Sequence, residues 1–180
     1  MTHVPLTEYA ELKDPRAKAV FDEIQADLGF GMVPNLFKSM AQSPALLAAN
    51  WQRFRSTVLD GVLPRTLKEM IGVAISQHNN SQYALKVHLH GLSALGISEE
   101  VLRLLVSDFE NCPLPAREKS VIRFGVLAGT RPQALTAADF EELRARGLDE
   151  LEIYEILATA NLFASVNQYT DSIDLEIDRI

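Results

Sequence analysis

The chain has 180 residues and a net charge of −7, with 17 Lys plus Arg against 24 Asp plus Glu, 47% hydrophobic and 23% charged residues. These are ordinary values for one globular domain that buries its core without disulfides or metals. The acidic balance, with no run of Lys or Arg, argues against nucleic acid and the membrane surface as partners.

Residues Met1 to Pro15 lack the basic-then-apolar order of a signal peptide. The longest apolar segment, Ile153 to Val166, is interrupted by Glu155 and Asn161 and is too short to span a bilayer. The single cysteine, Cys112, excludes an internal disulfide, so a cytoplasmic location is expected.

Helical periodicity dominates, and no segment alternates with period two. Asp14-Pro15 opens a first helix with Ala19, Val20, Ile24 and Leu28 on one face and Gly29 as its stop. Val33-Pro34 starts a short helix through Met40. Ser43-Pro44 caps a longer one through Leu59, closed by Asp60-Gly61. Leu63-Pro64 opens a helix to about His78, and Gln82 to Leu95 forms the next, stopped by Gly96. Ser98 caps a helix through about Phe109, and residues 111–115 form a loop. Helices follow over Ala116 to Ala128, Thr136 to Arg146 with a Thr136/Asp139 capping box, and Asp149 to about Asp174.

An internal repeat runs through this pattern. Displaced by 51 positions, Leu63-Pro64 falls on Leu114-Pro115, Lys68 on Lys119, Leu92 on Leu143, and Gly96 on Gly147, without a gap. The expectation is one all-α domain over residues 1–180 with pseudo-symmetric copies at about 63–110 and 114–175. Residues shared by both copies are scaffold. Glu69 falls on Ser120, Ser81 on Pro132 and His88 on Asp139, so any special site belongs to the first copy.

The stretch from Glu69 through Ser81, Tyr83, Ala84 and His88, followed by Gly96-Ile97-Ser98-Glu99-Glu100, resembles the signature of the alkylhydroperoxidase D-like (carboxymuconolactone decarboxylase) family. Val33-Pro34-Asn35-Leu36-Phe37, Ser43-Pro44-Ala45, and the region Asn161 to Asp171 are similar to its peroxidase-related branch, so the resemblance spans about residues 30–175. It implies an all-helical bundle and homo-oligomers, often trimers or hexamers. It also implies a small-molecule ligand or hydroperoxide as substrate, and a Glu–His proton relay beside a Cys-x-x-Cys pair.

Here the cysteine positions are Ser81 and Ala84. A hydroxyl has no sulfenic state, and alanine cannot resolve one, so dithiol peroxidase turnover is not expected.

Glu69, His88 and Tyr83 remain as the expected catalytic set, with no cofactor and no metal. Ser81, Ala84 and His88 share a helix face at i, i+3, i+7. Three functions stay open. The first is an alkylhydroperoxidase-like protein of antioxidant or small-molecule metabolism. The second is a cofactor-free decarboxylase or isomerase using His88 as general acid/base, with Arg65 as the candidate anion-binding group. The third is a non-catalytic oligomeric binding module. Ser81 is expected to be a helix cap, Cys112 a bystander thiol, His90 a surface or interface residue, and Phe37, Trp51 and Phe54 core or subunit contacts.

Overall fold

The computed structural model describes residues 2–180; Met1, the first residue of the expected domain, lies outside the described residues. Among the described residues there are nine α-helices and no strand.

The first helix, α1 (Pro15–Leu28), starts where the Asp14 carboxylate accepts the Arg16 N–H and ends at Gly29, whose φ of 81° is open to glycine without strain. Its buried face is Ala17, Val20, Phe21, Ile24 and Leu28; Ala19, expected on that face, is exposed. A single short turn, α2 (Asn35–Lys38), follows.

Next comes α3 (Pro44–Phe54). Ser43 stands at its N-cap position, as expected, though its side chain makes no cap bond. The expected continuous helix to Leu59 also breaks: after Phe54 the chain widens into a π-turn, Arg55–Leu59, in which the Asp60 N–H reaches back five residues to the Arg55 carbonyl at 3.1 Å.

The repeat region carries α4 (Arg65–Asn79), α5 (Gln82–Ala94), α6 (Glu99–Ser107), α7 (Ala116–Thr130), α8 (Ala137–Ala145) and α9 (Glu150–Ser172). The Thr136/Asp139 capping box forms, and Asp149 with Glu152 makes another.

Apolar side chains gather in two clusters. Helices α4 to α9 supply one, including Ile71, Ile75, Leu92, Ile122, Ile156 and Phe163. Helices α1 to α3 supply the other, with Phe21, Ile24, Phe37, Leu47 and Trp51, joined by Tyr83 of α5 and Leu175 of the C-terminal tail. The seam between these clusters positions the site.

Candidate active site

Glu69 lies on α4 and His88 on α5, which folds back against it after the left-handed residue Asn80 (φ 57°). His88 Nδ1 stands 2.7 Å from Glu69 Oε2, with the two residues only 5% and 2% exposed. Gly72 makes this approach possible, and Gly91 gives room to the neighbouring Phe30 ring. A Cβ on Gly72 would sit 2.6–2.8 Å from the His88 ring, and one on Gly91 would meet the Phe30 ring at 3.3 Å and the Glu69 carboxyl carbon at 3.7 Å. The edge of Phe163 closes the other side of the imidazole, with ring centroids 4.3 Å apart.

The carboxylate has a second partner. Arg65 Nε donates to Glu69 Oε1 at 3.3 Å, and its Nη1 donates to the Leu28 carbonyl at 3.1 Å. The guanidinium also lies 5.8 Å from the centre of the Phe30 ring. Arg65 is thus bonded to Glu69 and to the end of α1 through Nε and Nη1, while its Nη2 is buried without a hydrogen-bond partner. Glu69 is held between a guanidinium and an imidazole, so the buried carboxylate keeps counter-charge. A carboxylate on Nδ1 orients the ring and leaves Nε2 as the other exchangeable nitrogen. Among the described residues Nε2 makes no hydrogen bond.

The pair forms the polar end of a cavity of about 30 Å³ otherwise lined by apolar groups, among them Leu28, Phe30, Leu36, Phe54, Ala84 and Phe163. That is room for about one or two water molecules.

The structure separates the other expected residues. Ala84 lines the cavity beside His88. Ser81 stands at the N-cap position of α5, as expected, but its buried hydroxyl makes no cap bond and donates instead to Asp171 Oδ1 on α9 at 2.7 Å. Tyr83 presents its ring to the cavity, but its hydroxyl points elsewhere. It donates to Asp178 Oδ2 at 2.7 Å and accepts the Leu36 N–H at 3.0 Å. Burial, with the Asp178 charge second, pushes that phenol far above its ordinary range. Tyr83 therefore ties the tail to the start of α2 and offers no proton to the Glu–His pair.

Cys112 is buried outside this cavity, its thiol raised by burial. His90 is half-buried with its ring edge on Phe30. Phe37 and Phe54 belong to an aromatic cluster with Trp51 and also line the cavity, so they are both core and wall. Gly72, Gly91, Phe30 and Phe163 were missed from sequence. The repeat carried a signal for the glycines, because their counterparts are Arg123 and Glu142.

An all-α bundle of this topology is the fold of the alkylhydroperoxidase D core. The sequence model of the carboxymuconolactone decarboxylase family matches residues 45–108, the segment that holds Glu69, Ser81, Ala84 and His88. No curated protein sequence matches the chain.

Among solved structures, the alkylhydroperoxidase AhpD core of an uncharacterized peroxidase-related protein from Ralstonia eutropha JMP134 is 24% identical, with a TM-score of 0.88 over 99% of this chain and 93% of that one. An uncharacterized peroxidase-related protein from Silicibacter sp. TM1040 is also 24% identical, with a TM-score of 0.88 over 99% and 92%. A Cys-to-Ala variant of the debrominase Bmp8, in complex with 2,3,4-tribromopyrrole, is 22% identical, with a TM-score of 0.83 over 99% and 92%. At these identities the likeness shows the fold alone.

Proposed function

We propose that this chain is a cofactor-free enzyme of small-molecule metabolism in which His88, oriented by Glu69, moves a proton to or from a small apolar substrate. One observation carries the reading: the 2.7 Å His88–Glu69 contact at the polar end of an otherwise apolar cavity. An imidazole held by a carboxylate in a largely apolar pocket suits general acid–base work.

Thiol chemistry has no place in it. Positions 81 and 84 carry a hydroxyl and a methyl group, and Cys112 stands apart with its thiol raised. Consumption of an alkyl hydroperoxide with a dithiol reductant, an antioxidant activity, is accordingly not expected.

Bmp8 in its Cys-to-Ala form seats a brominated pyrrole, which supports a small, flat, largely apolar ring as the ligand class here. The present cavity is smaller than such a ring, so entry requires a wall residue to move.

The decisive experiment follows exchange of the remaining ring C–H of 2,3,4-tribromopyrrole in D2O by NMR. The protein should accelerate it, and His88→Gln should lose about a hundredfold of that acceleration. Equal rates with and without protein, or with either protein form, would remove the proposal. Such a result would favour the second reading supported by the 30 Å³ volume, a ligand-binding module without turnover.

Assembly belongs to the same proposal. Leu151 and Tyr154 are exposed on one face of α9, and exposed Val62 donates its N–H to neighbouring Glu155. This face fits a contact between copies of the chain in a trimer or hexamer. Light scattering should show an oligomer that Tyr154→Glu dissociates.

A further inference from the structure

A groove between α2, α3 and α9 takes no part in the chemistry above. It holds about 210 Å³ and is lined chiefly by apolar residues, including Met40, Leu46 and Leu162. Its polar lining is Asn50, Arg53, Ser165 and Tyr169, with no carboxylate. Arg53 is exposed. Its guanidinium donates to Asn161 Oδ1 at 2.6 Å, and it forms no ion pair among the described residues. In a chain of net charge −7 this leaves an unneutralised cation at the rim of an apolar trough.

The groove is also next to the Glu69–His88 cavity. Leu36, Phe37, Phe54 and Val166 line both, so one layer of side chains separates them. Phe54 is the last residue of α3, immediately before the π-turn, with its ring stacked 6.1 Å from Trp51. Turns of this kind are rare and concentrate at functional sites.

We propose that the groove is a binding site for a small amphipathic monocarboxylate. The apolar chain lies along Met40, Leu46 and Leu162, the carboxylate pairs with Arg53, and Phe54 is the movable part of the wall toward the inner cavity. Apolar length gives the affinity and the cation gives the choice of acid over alcohol. The site goes beyond the proton-transfer reading and does not depend on it.

Trp51 is the only tryptophan and packs on Phe54, so its fluorescence reports on this wall. Octanoate, titrated into the full chain, should produce a saturable change, and octanol should bind more weakly. Arg53→Gln should weaken octanoate about fivefold, the size an exposed charge pair supports, and leave octanol unchanged. Leu46→Glu, at a position 49% exposed and therefore tolerant of charge, should weaken octanoate further.

Octanol binding as tightly as octanoate, an unchanged octanoate affinity in Arg53→Gln, or no saturable signal would each overturn the proposal. A failed proton-exchange assay leaves this titration standing, and a failed titration leaves that assay standing.

Discussion

The hairpin α4–α5 and its counterpart α7–α8 are built from the same punctuation and differ at the junction where their helices meet. Helices α4 and α7 both run 15 residues after a Leu-Pro start. Gly96 and Gly147 close the second helix of each copy at φ 84° and 82°, each followed by the same bond, Ile97 N–H to the Leu92 carbonyl and Leu148 N–H to the Leu143 carbonyl. Lys68 and Lys119 each donate to a carbonyl of the loop before their helix, Asp60 and Glu110.

At the junction, Glu69, Gly72, His88 and Gly91 in the first copy become Ser120, Arg123, Asp139 and Glu142 in the second. There the Ser120 hydroxyl donates to Glu142 at 2.9 Å, and the four residues line a depression instead of a buried pair. The comparison teaches that the site is made by removing the side chain at 72 as much as by placing an acid and an imidazole.

The largest expected effect comes from importing the second copy's residue into the first. Glu69→Ser leaves the Arg65 guanidinium without its carboxylate beside a closely packed His88. It should lower stability by about 3 kcal/mol, the order for breaking a buried charge pair. Thermal or urea unfolding checks this, and a loss no larger than that of Ser120→Ala, expected near 1 kcal/mol, would break the distinction between the two junctions.

Gly72→Ala comes next. Its Cβ would fall within 2.8 Å of the imidazole, against which Phe163 already packs, so the ring must leave Glu69. A cost of roughly 2 kcal/mol is expected for overpacking, together with loss of any His88-dependent turnover. The matching change, Arg123→Ala, removes an exposed pair with Glu110 and should leave stability nearly unchanged. Similar losses at both positions would show that Gly72 is not there for the ring.

Legibility in the sequence follows the same division. Starts and stops were readable because Pro and Gly act through their own backbone: Asp14-Pro15, Gly29, both Leu-Pro pairs, Gly96 and Gly147. The π-turn after Phe54 was not, since nothing local distinguishes a five-residue return from a four-residue one; packing against the neighbouring helices selects it. The spacing places Ala19 on the buried face, but Ala17 and Phe21 satisfy the same spacing with a slightly rotated stripe and take its place.

In the site, Glu69 and His88 were legible through their place in a hairpin. The directions of the hydroxyls of Ser81 and Tyr83 were not, because their partners, Asp171 and Asp178, lie 90 and 95 residues away.

Tyr83 sharpens the comparison a third time, since its counterpart is Ala134, which has no hydroxyl to reach the tail as Tyr83 does through Asp178. Tyr83→Phe removes the bond to Asp178 and the acceptor of the Leu36 N–H, and should cost about 1 kcal/mol with His88 undisturbed. Equal damage to His88-dependent turnover would mean that the phenol serves the chemistry after all.

The smallest effect is one of pH, and its sign separates the two carboxylates that hold loops and tail to the first copy. Burial raises the Asp178 carboxyl above its ordinary 3.8, despite bonds from Tyr83 and Asn35 that oppose the shift. The folded state therefore binds this proton more tightly than the unfolded state, and stability falls as pH rises from that value through the raised one. Asp178→Asn should lack that fall, so wild type gains on the variant as pH is lowered through the window.

Glu155 behaves oppositely. Burial would raise it, but the Leu63 and Val62 N–H groups and Lys68 together hold it below 4.5. Its contribution is present above that value and disappears as pH drops through the lowered one. Unfolding curves of Asp178→Asn and Glu155→Gln against wild type, from neutral pH into acid, should diverge in opposite directions. Parallel curves would show that the tail and the Asp60–Leu63 loop are not held by carboxylates in opposite environments.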